Sequence, residues 1–197
     1  LREQIQMCLM KYRNIIYLAV VTAVFLLIPL IAMQFTSEVN WTGSDFVFAG
    51  TLIFGTGLLF EIARKGAAGN RAYKLAAGLT LTGAFLLVWI NAAVGMIGSE
   101  NNRLNLLYLG VIAIAIVGSL LARLRPRGMA RALFAAAAAQ AIVPVIALFM
   151  QPRVIWTEPP GVLGVLVLNS FFVMLFVSSA LLFQRAGGRQ PTSQTSL

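Results

Sequence analysis

Long runs of apolar residues, separated by short polar segments, dominate this sequence. A bilayer core about 30 Å thick needs about 20 apolar residues in a helix, because each residue rises about 1.5 Å. Six stretches meet or approach that length, at about 14–34, 46–63, 75–97, 105–122, 132–150 and 162–183. The pattern predicts an all-α fold: a single transmembrane helix bundle of six spans over residues 1–183. The polar remainder, 184–197, is predicted to be a disordered tail.

The first apolar stretch has a second interpretation, as the core of a secretory signal peptide with Lys11 and Arg13 as its basic region. It is longer than the usual apolar core of about 7–15 residues, and no convincing small-residue cleavage site follows. We therefore expect a retained membrane helix. The sequence begins with Leu1 rather than Met, so no targeting signal is inferred from its first residues.

Composition supports the membrane class and excludes several others. Hydrophobic residues make up 59% of the 197 residues and charged residues 11%, against about 45–50% and about 25% in soluble domains. There is no histidine and a single cysteine, Cys8, which is expected to be free. His-ligated metals, His-based catalytic dyads and intramolecular disulfides are thereby excluded. We expect no cofactor, no metal and no enzyme activity.

Positive charge is concentrated on one side of the predicted spans. Thirteen of the 15 basic residues fall in the N-terminal segment, the second and fourth loops or the tail, and only Arg103 and Arg153 fall on the other side. Cytoplasmic loops of membrane proteins are rich in Lys and Arg, so both termini are predicted to be cytoplasmic. The net charge of +9 then needs no nucleic-acid partner, and anionic lipid headgroups are the expected partner of the basic side.

Aromatic residues near the predicted span ends give the same orientation. Amphipathic rings are enriched at both interfaces of a membrane. The predicted outer belt consists of Trp41, Tyr108 and Trp156, and the inner belt of Tyr12, Tyr17 and Tyr73.

Three polar side chains fall inside the apolar stretches: Asn91, Gln140 and Asn169. A polar group within a membrane costs free energy unless it finds a partner. Pro144 lies four residues after Gln140 and frees its backbone carbonyl, which favours a local polar spot with a kink. The three amides are therefore candidates for an intramembrane polar or transport site, with interhelical hydrogen bonding as the simpler alternative.

Asn91 also belongs to a stripe of small residues on the third span. Positions three and four residues apart share a helix face, and small residues allow close helix packing. This face is predicted to form a packing seam, and it comprises Thr80, Gly83, Ala84, Leu87, Asn91, Gly95 and Gly98. The opposite face carries Leu79, Leu86, Trp89, Ile90, Val94 and Ile97.

Carboxylates are rare in the predicted spans. Glu61 lies near the cytoplasmic end of the second span, where an interfacial ion pair with Arg64 or Lys65 is favoured over a proton relay. Glu100 and Asn101 lie in the short outer turn before the fourth span, where Asn102 or Asn105 is a candidate helix cap. These are candidate interfacial residues, although one carboxylate makes a poor ion site.

The segment NAAVGMIGSENN (91–102), the following residues 104–134 and the Ala-rich stretch resemble a group of small, uncharacterised, multi-pass bacterial inner-membrane proteins. The resemblance implies location and span number but no activity. Four functions remain open. The first is an accessory, assembly or scaffold subunit with a membrane-protein partner or a second copy, and the second is a small-solute transporter or channel using the three amides. A lipid-handling role falls between these two, and an enzyme is the least supported.

Overall fold

Helices account for nearly all of the backbone in the computed structural model, which describes residues 2–67 and 69–188, with side chains from residue 13 onward. These residues form seven α-helices and no strand: α1 Arg2–Phe35, α2 Gly43–Gly66, α3 Arg71–Ala93, α4 Leu106–Leu121, α5 Pro126–Met150, α6 Pro152–Thr157 and α7 Gly161–Gly188. All except α6 are long and apolar enough to cross a membrane. The all-α prediction with six span-length helices is confirmed, as expected for a multi-pass membrane protein.

Several helix ends differ from the predicted bounds. Helix α3 ends at Ala93 rather than at residue 97, because Gly95 and Gly98 adopt φ values of 72° and 63° that no helix accommodates. Helix α5 begins at Pro126, where a proline at the first helical position suits the fixed φ of its ring. Helix α7 continues to Gly188, so residues 184–188 of the predicted disordered tail are helical. Residues 189–197 lie outside the described part of the chain.

The chain divides into two compact units, residues 1–62 and 63–197. In the first unit, α1 and α2 pack antiparallel. Asn14 donates a hydrogen bond of 3.2 Å from Nδ2 to Oε2 of Glu61, and a Cβ built on Gly50 would lie 3.3 Å from Cδ1 of Leu26. Only 6% of the residues in the apolar window of each of these two spans are buried, so most side chains of α1 and α2 are partly or fully exposed.

The second unit has a buried core formed by four helices. Helix α7 packs against α5 and α3, and α4 packs against α5. The Ala-rich sequence of α5 allows this close approach, because alanine leaves room for neighbouring backbones. Phe172, Phe176 and Phe183 of α7 are fully buried between these helices.

Two sets of contacts define the ends of the second unit. At one end, the hydroxyl of Tyr73 on α3 donates to the carbonyl of Leu124, and Nδ2 of Asn70 donates to the carbonyl of Ala186. At the other end, Nδ2 of Asn102 donates 2.7 Å to Oε1 of Gln151. The start of α3, the α4–α5 connection and the end of α7 therefore lie together at the first end.

Candidate functional site

A cluster of three polar side chains lies in the core of the second unit. Tyr108 of α4, Gln140 of α5 and Asn169 of α7 have relative exposures of 1%, 0% and 2%. Each lies on the inward face of its helix; for example, Val165 and Phe172 flank Asn169 at helical spacing and are also buried. We refer to these three residues as the polar cluster.

Asn169 is the centre of the polar cluster. Its Nδ2 donates to the carbonyl of Val165 at 2.7 Å and to the hydroxyl of Tyr108 at 3.1 Å. Its Oδ1 accepts from the Tyr108 hydroxyl at 3.2 Å and from Nε2 of Gln140 at 3.0 Å. The amide of Asn169 thus uses two donors and two acceptor positions, which is its full hydrogen-bonding capacity.

These contacts determine the orientation of the Gln140 amide. The carbonyl of Val165 can only accept, so the Asn169 atom beside it must be Nδ2. Oδ1 of Asn169 therefore faces Gln140 as an acceptor, and Gln140 must present its Nε2. Oε1 of Gln140 remains buried without a hydrogen-bond partner. The cluster consequently contains one unused acceptor on its α5 side.

Asn91 does not hydrogen-bond to the polar cluster. Its Nδ2 donates to the backbone carbonyl of Asn105 at 3.1 Å, and its Oδ1 is buried without a hydrogen-bond partner. Of the three predicted amides, the structure joins Gln140 and Asn169 directly, whereas Asn91 connects α3 to the start of α4. Pro144 is buried one turn beyond Gln140, and α5 continues through it to Met150.

Sequence reasoning missed Tyr108 because it assigned this residue and Tyr73 to the interfacial belts. Both rings are buried, at 1% and 4% exposure, and both hydroxyls hydrogen-bond inside the second unit. Tyr17 and Trp156 are 63% and 70% exposed, as residues of a belt would be. Tyr12 and Cys8 have side chains outside the described part of the chain.

The small-residue stripe of α3 forms a seam against α7. Thr80, Gly83 and Leu87 are buried, and a Cβ built on Gly83 would lie 3.4 Å from the Phe176 ring. The hydroxyls of Thr80 and Ser179 lie 2.6 Å apart across this seam. The stripe does not extend to Gly95 and Gly98, because the helix has ended. For the same reason Ile97, predicted to lie opposite the seam, is fully buried.

Asn105 organises the turn between α3 and α4, a role that sequence analysis did not predict. Its Oδ1 accepts from the backbone N–H groups of Met96 and Ile97 at 3.1 and 3.0 Å. Its Nδ2 donates to the carbonyl of Ser99 at 2.8 Å. Asn102, the other candidate cap, accepts from the N–H of Leu104 at 3.0 Å. The sequence suggested Asn105 only as a candidate helix cap, and its side chain makes no cap hydrogen bond to α4.

The candidate interfacial residues have hydrogen-bond partners of their own. Glu61 accepts a hydrogen bond from Asn14 of α1, a partner that the sequence did not suggest. Glu100 and Asn101 are exposed and hydrogen-bond to each other at 3.2 Å. Within the described residues, no group of three potential ligands among His, Cys, Asp and Glu could hold a metal ion.

Comparisons with protein-family models, with curated proteins and with solved structures find no match. The polar cluster can donate and accept hydrogen bonds, and it holds no carboxylate, ammonium or guanidinium group. It is suited to joining helices or to holding a neutral polar molecule.

Proposed function

We propose that this protein is a multi-pass protein of a bacterial inner membrane that acts as an accessory, assembly or scaffold subunit, without catalytic activity of its own. The observation that carries this proposal is the internal hydrogen bonding of the second unit. Asn169 is fully bonded to Tyr108, Gln140 and Val165, which is typical of polar groups that join membrane helices.

The first unit supports the same proposal, because its exposed apolar side chains must be buried against other apolar groups. Ile16 and Ile28 of α1 are 59% and 61% exposed, and similar side chains occur on the part of the helix that faces away from α2. Such an apolar surface is buried by contact with lipid, with a second membrane protein or with another copy of this chain. We propose that a partner helix packs against α1.

The decisive experiment is purification of the tagged protein from native membranes at natural expression level, with mass spectrometry of the recovered proteins. We expect a membrane protein in stoichiometric amount. Ile16→Trp with Ile28→Trp should reduce its recovery, because the larger rings disturb packing against α1. The matched control, Ile116→Trp, changes a side chain of α4 that is 54% exposed and should leave recovery unchanged. Recovery of the chain alone would contradict the accessory role.

Orientation requires a separate test. Basic residues at one end of the second unit support placing that end, and both termini, in the cytoplasm. In a Cys8→Ser background, a cysteine replacing Glu158 should react with an impermeant maleimide from outside the inner membrane. A cysteine replacing Arg125 should react only after permeabilisation. The opposite pattern would contradict the proposed orientation.

A small-solute transporter or channel is the second candidate, favoured by the partnerless acceptors Oδ1 of Asn91 and Oε1 of Gln140. A neutral solute with N–H or O–H groups would bond to them. Under this alternative, Asn91→Ala and Gln140→Met abolish uptake while the protein stays folded. Under the accessory role, partner recovery survives both substitutions.

A further inference from the structure

The end of the second unit that contains the α4–α5 connection carries a strongly basic surface. Within this unit the described acidic side chains are Glu100 and Glu158, which belong to the opposite end. The described basic side chains at the first end include Arg71, Lys74, Arg123, Arg125, Arg127, Arg131 and Arg185. Such an unbalanced surface attracts an anionic partner.

A role in membrane orientation does not by itself explain the backbone conformation of the α4–α5 connection. Arg123 and Leu124 adopt φ values of 48° and 57°, a left-handed conformation that costs free energy for residues with a side chain. The N–H groups of Arg123 and Arg125 donate to the carbonyls of Leu120 and Ala122, both at 2.9 Å. The buried Tyr73 holds the turn through a 2.9 Å bond to the Leu124 carbonyl. The arginines therefore project from an ordered turn.

The type of basic residue in the α4–α5 turn also points to a phosphate ligand. The turn and the start of α5 carry arginines at 123, 125, 127 and 131, and no lysine. Orientation in a membrane depends on the number of Lys and Arg residues and does not distinguish between them. Arginine differs from lysine in its planar fork of donors, which binds phosphate through two parallel hydrogen bonds.

The neighbours of the turn indicate where the phosphate comes from. Leu120 and Leu121, at the end of α4, are 69% and 80% exposed. Arg127 lies beside the end of α7, since a Cβ built on Gly187 would be 3.0 Å from its Cγ. Basic side chains beside exposed leucines at the end of a membrane helix match a headgroup phosphate and its acyl chains.

We propose that the α4–α5 turn is a binding site for an anionic phospholipid, with Arg123, Arg125 and Arg127 holding the headgroup phosphate and Leu120 and Leu121 contacting the acyl chains. This proposal shares the membrane placement of the proposed function but does not depend on an accessory role. An ordered turn with forked donors selects the anionic headgroup over zwitterionic phosphatidylcholine.

Native mass spectrometry of the full-length protein in detergent tests this site, with titrated phosphatidylglycerol and phosphatidylcholine of identical acyl chains. We expect preferential retention of phosphatidylglycerol. The variant R123Q/R125Q/R127Q should lose roughly a hundredfold in affinity, from about fivefold per arginine. The matched control R103Q/R153Q removes two exposed arginines at the opposite end and should bind like the natural sequence. Equal binding by the two variants would overturn the proposal.

Two further variants separate a built site from simple charge. R123K/R125K/R127K keeps the charge and the orientation but removes the forks, and Y73F keeps every charge but releases the turn. Both should bind phosphatidylglycerol severalfold more weakly, with thermal unfolding in detergent verifying the fold. Unchanged phosphatidylglycerol binding by both folded variants would show that the lipid is attracted by nonspecific charge, and it would overturn the proposed site.

The source of the anion is tested in the same experiment. Glycerol 3-phosphate should not displace the lipid, because it lacks acyl chains. Displacement at equal concentration would identify a soluble phosphate compound as the ligand and refute the lipid assignment. Loss of a co-purified acidic protein from R123Q/R125Q/R127Q, with lipid retention unchanged, would refute it in favour of a protein partner. These readouts in detergent are independent of the recovery experiment that tests the accessory role.

Discussion

The two amides of the polar cluster should respond in opposite ways to removal. Asn169→Leu removes three interhelical hydrogen bonds, two with Tyr108 and one with Gln140. At about 0.6 kcal/mol for each such bond in a membrane protein, the loss is at least about 2 kcal/mol of unfolding free energy, because the substitution also leaves the buried Nε2 of Gln140 without its acceptor. Leucine regains little, because the lipid around the unfolded helices is equally apolar.

Gln140→Met removes a single bond, worth about 0.6 kcal/mol. It also removes the buried Oε1, which has no partner and whose burial costs about 1–3 kcal/mol. We therefore expect Gln140→Met to be neutral or to stabilise the protein by about 1 kcal/mol. The difference between the two substitutions should be at least about 2 kcal/mol.

Reversible unfolding in mixed micelles, titrated with a denaturing detergent, measures both values. Ser170→Leu is the matched control, because Ser170 is adjacent to Asn169 but exposed, and it should change stability little. In a double-mutant cycle, Tyr108→Phe should couple to Asn169→Leu and not to Ser170→Leu. If Gln140→Met destabilises as much as Asn169→Leu, the assigned amide orientation is wrong.

The same unfolding assay checks two further predictions. Asn105→Ala removes hydrogen bonds to the N–H groups of Met96 and Ile97 and to the Ser99 carbonyl. The free energy of unfolding should fall by about 2–4 kcal/mol, because each bond contributes about 1 kcal/mol and the backbone groups left behind are unsatisfied. A loss below about 1 kcal/mol would contradict the organising role of Asn105. Gly118→Ala should cost about 1–3 kcal/mol because the added Cβ would lie 2.6 Å from Cβ of Ala132. In Gly110→Ala on the same helix, the added Cβ has no neighbouring atom within 4 Å, so this substitution should stabilise the helix by up to about 1 kcal/mol. Equal effects of the two glycine substitutions would refute the close approach of α4 and α5.

Helix ends were predictable only where local chemistry stops a helix. The Pro126 start of α5 follows from the geometry of proline, although the apolar pattern placed the start at 132. The Ala93 end of α3 depends on two glycines that also suited a packing seam. Since glycine serves both purposes in membrane helices, its position in a sequence does not distinguish a turn from a seam.

The tyrosines show the same ambiguity at the level of side chains. Tyr73 and Tyr108 lie near the starts of α3 and α4, where interfacial rings are common in membrane helices, yet their hydroxyls find partners inside the bundle at Leu124 and Asn169. The hydroxyl of a tyrosine can hydrogen-bond either to lipid headgroups or to a buried acceptor. The rotation of each helix about its axis decides between the two, and the sequence does not give that rotation.

Sequence alone determined the six span-length apolar helices and the concentration of basic residues in alternate segments between them, because both depend on local composition along the chain. It also identified Gln140 and Asn169 as polar groups in need of partners. Tertiary structure decided that these two meet each other and Tyr108, that Asn91 bonds to Asn105 instead, and that the arginines of the α4–α5 connection project from an ordered turn. Those outcomes depend on the depth and rotation at which separate helices pack, and interactions between residues 29 to 61 positions apart fix both.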